Sequence, residues 1–156
     1  MTDHPQLTRL SRPVPAKYVK APPKGKYGSY VEHSAINQIL LAVCGPFDFR
    51  VEQVIMSPEG LVEGVTASLT VTVDGWPVTI TEVGDCEQPT NWKTQGARMK
   101  DAASDALKRC AMRLGLGLHL WAQADYFLYA QLSATSSGPG DAVGVAPGSE
   151  PAQVSA

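Results

Sequence analysis

An α+β fold is predicted for this 156-residue chain, a three-stranded antiparallel β-meander packed by a short helix and a longer C-terminal helix. Three observations predict it. Along Phe47–Val51, Val65–Val73 and the stretch from Trp76 to Ile80 apolar residues recur at every second position, the period of a half-buried strand. Asp74-Gly75 interrupts that pattern with the dipeptide that favours a two-residue hairpin turn. On either side, around Ser34–Cys44 and Thr94–Leu114, the apolar spacing lengthens to that of a helix.

The opening residues, through "APPKGK", are rich in proline and lysine and lack periodicity. Residues 1–15 are expected to be a flexible basic arm. "SYVEHSAINQILLAVCGPF" starts extended and then turns helical: Ile36, Ile39, Leu40, Val43 and Cys44 share a face, Ser34 is placed to cap the start, and Gly45-Pro46 ends the run. In "FDFRVEQVIM", Phe47, Phe49 and Val51 alternate with Asp48, Arg50 and Glu52; in "LVEGVTASLTVTV", Val65, Ala67, Leu69, Val71 and Val73 alternate with Thr66, Ser68, Thr70 and Thr72. These are two half-buried strands, and "WPVTITEVG" returns as the third after the turn. The meander should show one wet face of threonines.

A polar loop, "DCEQPTNWKTQG", leads to the second helix. Met99, Ala102, Ala103, Ala106, Leu107, Cys110 and Leu114 form its apolar side, the small alanines permit close approach to the sheet, and Gly115 and Gly117 close it. Beyond about residue 133 the chain is small, polar and rich in glycine and proline, which predicts a disordered tail over 133–156 and leaves 16–132 as one folded domain.

The charge is segregated. The net charge is −2, yet residues 1–31 hold six bases and one acid, residues 91–115 hold six bases and two acids, and residues 32–90 hold nine acids and Arg50 alone as a base. Two basic segments flanking an acidic middle let an otherwise unremarkable chain present a local positive field to a phosphate backbone. Lys108, Arg109 and Arg113 crowd the end of the second helix. Part of this charge can serve the helix itself, since Asp105 is placed to meet Lys108 and Arg109, and Asp101 to meet Arg98; Arg113 has no acid three or four residues away. Three widely spaced cysteines, Cys44, Cys86 and Cys110, argue against a disulfide framework or zinc pairs and for a reducing cytoplasm. Neither a secretion signal nor a membrane-length apolar run is present, so a soluble protein is expected.

The order helix, meander, helix, with "YVEHSAIN" at the first helix, "VDGW" at the hairpin and "SDALKRCAMRLG" in the last helix, resembles the Rad-fifty-two superfamily of single-strand DNA annealing proteins, in particular its small phage-type members. The resemblance spans about residues 16–129. It implies a β-β-β-α core that assembles into rings or helical filaments, with single-stranded DNA in a basic groove. It implies further that Lys108 and Arg109 contact the DNA backbone and that Tyr18 stands where the family has an aromatic residue near the groove. Eukaryotic members carry an arginine four residues after the lysine, where this chain has Met112 and then Arg113.

The expected DNA-binding set is therefore Lys108, Arg109, Arg113, Lys100, Arg98 and Lys93 from the second helix and its approach, with Lys17, Tyr18, Lys20, Lys24 and Lys26 from the N-terminal segment. Tyr27, Tyr30 and Trp92 are further candidates for stacking on bases. Annealing has no covalent step, so no catalytic residue, metal or cofactor is expected; the partners implied are single-stranded DNA, further copies of the chain, and a phage exonuclease or host recombinase. The setting implied is the cytoplasm of a bacterial host. Two other readings remain: a single-strand binding protein that protects without annealing, and a hot-dog-type thioesterase using Asp85, Cys86 and His119, for which no catalytic or phosphate-loop motif is present.

Overall fold

The structure is a computed structural model that describes residues 3–22, 24, 28–122 and 124–136. Its elements are α1 (Pro5–Ser11), β1 (Val19–Lys20), β2 (Tyr30–Val31), α2 (His33–Cys44), β3 (Asp48–Met56), β4 (Val62–Val73), β5 (Trp76–Asp85), α3 (Gln95–Arg113) and α4 (Leu128–Ser136). The fold class is the α+β arrangement that the sequence patterns predict.

Strands β3, β4 and β5 form an antiparallel sheet in that order, and β1 pairs with β2 in a separate ribbon. Register aligns Phe49, Leu69 and Ile80 in one row and Asp48, Thr70 and Thr79 in the next, so successive rows face opposite sides of the sheet. On the inner side of β4, Val65, Ala67 and Leu69 are fully buried and Val71 and Val73 nearly so. On the outer side Ser68 bonds Thr81 at 2.8 Å and Thr70 bonds Thr79 at 2.9 Å through their hydroxyls. The turn between β4 and β5 has Asp74 at φ 51° and Gly75 at φ 82°, the pair of left-handed residues that a primed hairpin turn requires.

Strand β3 departs from simple alternation. A register shift between Val51 and Gln53 leaves Glu52 bulged, and Val51 is exposed rather than buried. The reason is where the long helix lies: α3 crosses β4 and β5 and scarcely touches β3, so the inner residues Val51 and Val54 lack a cover. Close packing of α3 on the sheet rests on Ala102 and Ala106, both fully buried, and on Gly84 of β5. A Cβ built on Gly84 would fall 1.9 Å from the Ala102 carbonyl oxygen.

Helix α2 starts two residues earlier than the sequence suggests, with Glu32 rather than Ser34 at its N-cap, and ends at Gly45 with φ 77°. Its Ile36 and Leu40 enter the main core. Helix α3 begins at Thr94, whose hydroxyl accepts from the Ala97 N–H at 3.1 Å. Its last turn hands over to Gly115 and Gly117, both at positive φ.

Both ends of the described chain hold more order than composition suggests. Within the expected arm, α1 places Leu10 in the core, fully buried, with Val14 behind it. Asp74 at the hairpin tip accepts from the N–H groups of Gln6 (2.7 Å) and Leu7 (3.2 Å), and Gln6 returns the bond by accepting from the Asp74 N–H at 2.5 Å. Asp74 therefore caps a helix 68 residues away. Gln6 also donates to the Val43 carbonyl at 2.9 Å, and Tyr126 donates its hydroxyl to the Ser11 carbonyl. Helix α4 packs on α1 and runs to Ser136, into the stretch expected to be tail; residues 137–156, the rest of that stretch, lie outside the described residues.

Candidate nucleic-acid interface

The basic residues of α3 point in several directions, because successive positions turn by about 100°. Ala97, Lys100, Asp101, Ser104 and Lys108 form one stripe, and all five line a shallow hollow shared with Tyr30, Glu32, His33, Ser34 and Trp92. Lys100 and Lys108 are thus about 12 Å apart along the helix, on the side that meets the β1–β2 ribbon. Lys108 is half-buried, with its Nζ 5.8 Å from the centre of the Tyr30 ring. Tyr30 is paired in register with Lys20, and cross-strand partners carry their side chains on one face. Lys20 and Lys108, remote in sequence, are by this route both brought beside Tyr30.

Arg109 faces a different neighbour. Its Nε bonds Asp105 Oδ2 at 2.9 Å, the i,i+4 pairing expected, and its guanidinium carbon lies 5.1 Å from the centre of the Trp121 ring. Arg113 lies about 140° round the helix from Lys108 and pairs with Glu82 of β5 at 2.5 Å; its acid comes from the sheet, which helical spacing does not reveal. At 61% side-chain exposure it keeps donors for solvent.

Arg98 is a correction to the expected set. It is 8% exposed, and its three donor nitrogens bond the Pro89 carbonyl (2.6 Å), Gln95 Oε1 (2.9 Å) and the Trp92 carbonyl (2.6 Å). None of these is Asp101. A guanidinium so engaged orders the loop before α3, and its burial leaves little of it open to a phosphate. Lys93 is exposed at that loop's end. In the N-terminal segment Lys17, Tyr18, Lys20 and Lys24 are all exposed, with Lys17 Nζ 4.8 Å from the Tyr18 ring centre. Lys26 and Tyr27 lie outside the described residues.

Between the ribbon, α3 and the segment after α3 runs a cleft of about 580 Å³. Tyr30, Trp92 and Trp121 line it, each partly exposed. Trp121 was not foreseen, since it follows the closing glycines in a stretch without periodicity. A large aromatic left exposed directly after a helix stop was the available signal. Among the described lining residues Lys108 is the cation, and Asp85, Glu87, Asp101 and Asp105 are acids. The cleft is mixed in sign: Asp85 and Glu87 are exposed, and Asp101, Asp105 and Lys108 are half-buried.

The residues of the thioesterase reading do not assemble here. Asp85 lines the cleft but neither Cys86 nor His119 does. Burial, reinforced by Asp101, pushes the Cys86 thiol above its ordinary range, opposite to what a nucleophile needs. Among the described residues no group of three histidine, cysteine or carboxylate side chains is arranged to hold a metal ion, and no helix is long and apolar enough to cross a membrane.

The sequence model of one protein family matches residues 4–136; its description is Rad52/22 family double-strand break repair protein. No curated protein matches the chain.

Proposed function

This chain belongs to the Rad52/22 family of double-strand break repair proteins, and from that premise we propose that it binds single-stranded DNA and anneals complementary strands, without ATP, in homologous recombination and repair. The observation that carries the reading is the contact of Lys108 with Tyr30, and through the Tyr30–Lys20 register with Lys20 of the N-terminal segment. Cations from two remote segments then serve one strand.

Lysine and arginine neutralise phosphates without regard to sequence and release condensed counterions as they do so. Lys108, Lys100 and Lys20 form the centre of the proposed contact, with Arg109, Lys93, Lys17, Lys24 and Tyr18 around it and Arg113 at its far side. One subunit offers few contacts, so tight binding calls for several subunits in line. The edges of β3 and β5, open among the described residues, provide for that, since unpaired strand edges invite pairing; a ring or helical homo-oligomer is the assembly proposed. The setting proposed is a phage recombination system, on ends resected by an exonuclease.

The test is a double substitution, Lys108→Ala with Arg109→Ala. Fluorescence anisotropy on a labelled oligonucleotide should show affinity reduced roughly tenfold or more, and annealing should be lost while the circular dichroism spectrum is retained. Unchanged affinity in the folded double variant removes both residues from the site. Annealing kinetics decide between this reading and a protective binder, because a protector slows pairing and an annealer speeds it.

A further inference from the structure

The cleft beside Lys108 is poorly suited to the part of a nucleic acid that the lysines attract. Asp85 and Asp101 line it beside Lys108, together with Asp105, whose charge is shared with Arg109, so a phosphate passing beyond Lys108 would meet carboxylates at short range. A neutral, flat ring would not. Tyr30 is 38% exposed, Trp92 42% and Trp121 45%, an unusual concentration of open aromatic surface around one concavity. Two of these rings have a cation near them, Lys108 at Tyr30 and Arg109 at Trp121, which puts positive charge beside each. The volume, about 580 Å³, lies within the range of clefts that enclose small ligands.

Resting on the single-strand reading above, we propose that this cleft is a subsite for an unstacked nucleobase. The base enters between Trp121 and the Tyr30–Trp92 side, and the sugar-phosphate chain rests on Lys108. Stacking on an aromatic ring is indifferent to base identity, since every base has a π-face, so the subsite adds affinity without adding sequence preference. Each subunit of an assembly would then withdraw a base from the stack at a regular interval and leave the others free to pair.

The experiment compares a labelled oligothymidylate with an abasic oligomer of the same length and phosphate count, by anisotropy, on the full chain. Wild type is expected to bind the base-bearing strand more tightly, by roughly 5- to 150-fold per occupied cleft. Trp121→Ala should abolish that difference while leaving affinity for the abasic strand unchanged; Trp121→Phe, which keeps a ring, should restore it; Trp76→Ala, at the hairpin tip outside the cleft, should leave the difference as in wild type. Equal binding of both strands by wild type overturns the base subsite while leaving single-strand binding intact, and so does a Trp121→Ala variant that weakens both equally. Failure of wild type to bind either strand overturns the subsite and the single-strand reading together.

Discussion

Four basic side chains of α3 show how little a residue's charge says about its use. Arg98 is buried under three acceptors, Arg109 is shared between Asp105 and Trp121, Arg113 is tethered to Glu82, and Lys108 stands over a tyrosine at the cleft. His119 makes the same point for a titrating group. Its Nδ1 is buried without a hydrogen-bond partner, and burial pushes its pKa below the ordinary 6.5. The unfolded chain therefore takes up a proton on His119 at a higher pH than the folded chain does. Stability present above pH 6.5 is lost as the pH falls through that value toward the depressed folded pKa. Urea unfolding followed from pH 7 to about 5.5 should show this decline, and His119→Phe, which cannot titrate, should flatten it; an unaltered profile would assign the decline elsewhere. Such environments were not legible in the sequence, because helical spacing counts neighbours within one helix, while Glu82, the Pro89 carbonyl and Trp121 all arrive from other elements.

At the scale of the element, the meander and α3 were legible almost to the residue, because both are written in short-range periods: alternation along β4, Asp74-Gly75 at the turn, the alanine stripe of α3. What escaped was fixed by contacts between distant segments. Helix α1 has no pattern of its own beyond Leu7 and Leu10, and the exposure of Val51 follows from where α3 stops covering the sheet. Half of the close α3–sheet contact was readable, in Ala102 and Ala106, but its counterpart Gly84 was not, since a glycine in a strand does not announce what approaches it. Gly84→Ala would drive its methyl group against the backbone of α3, 1.9 Å from the Ala102 carbonyl oxygen and 2.6 Å from the Ala106 nitrogen. Neither can rotate away. A loss of about 3 kcal/mol or more is expected, read as a lower urea midpoint, or as failure to fold; a change under about 0.5 kcal/mol would mean that the helix can lift off the sheet without cost.

For the whole molecule, the sheet is finished on one side only. Helix α3 covers β4 and β5, leaving Val51 and Val54 of β3 exposed on the inner side, next to a strand edge with no partner among the described residues. If the proposed assembly uses this strip, Val54→Lys should lower the sedimenting mass while leaving the far-ultraviolet spectrum unchanged, since a charge there faces solvent in the isolated subunit and a desolvated surface in the assembly. Retention of the wild-type mass would exclude the strip as a subunit contact. The bond between Asp74 and the start of α1 has a consequence of another kind, for the sequence of events in time. Seven residues are too few for a helix to persist unaided, and the carboxylate that terminates this one reaches position only once the β4–β5 turn has closed. This segment must therefore wait, uncoiled, for a residue translated 68 positions later, and α1 becomes the closing clasp of folding instead of its seed.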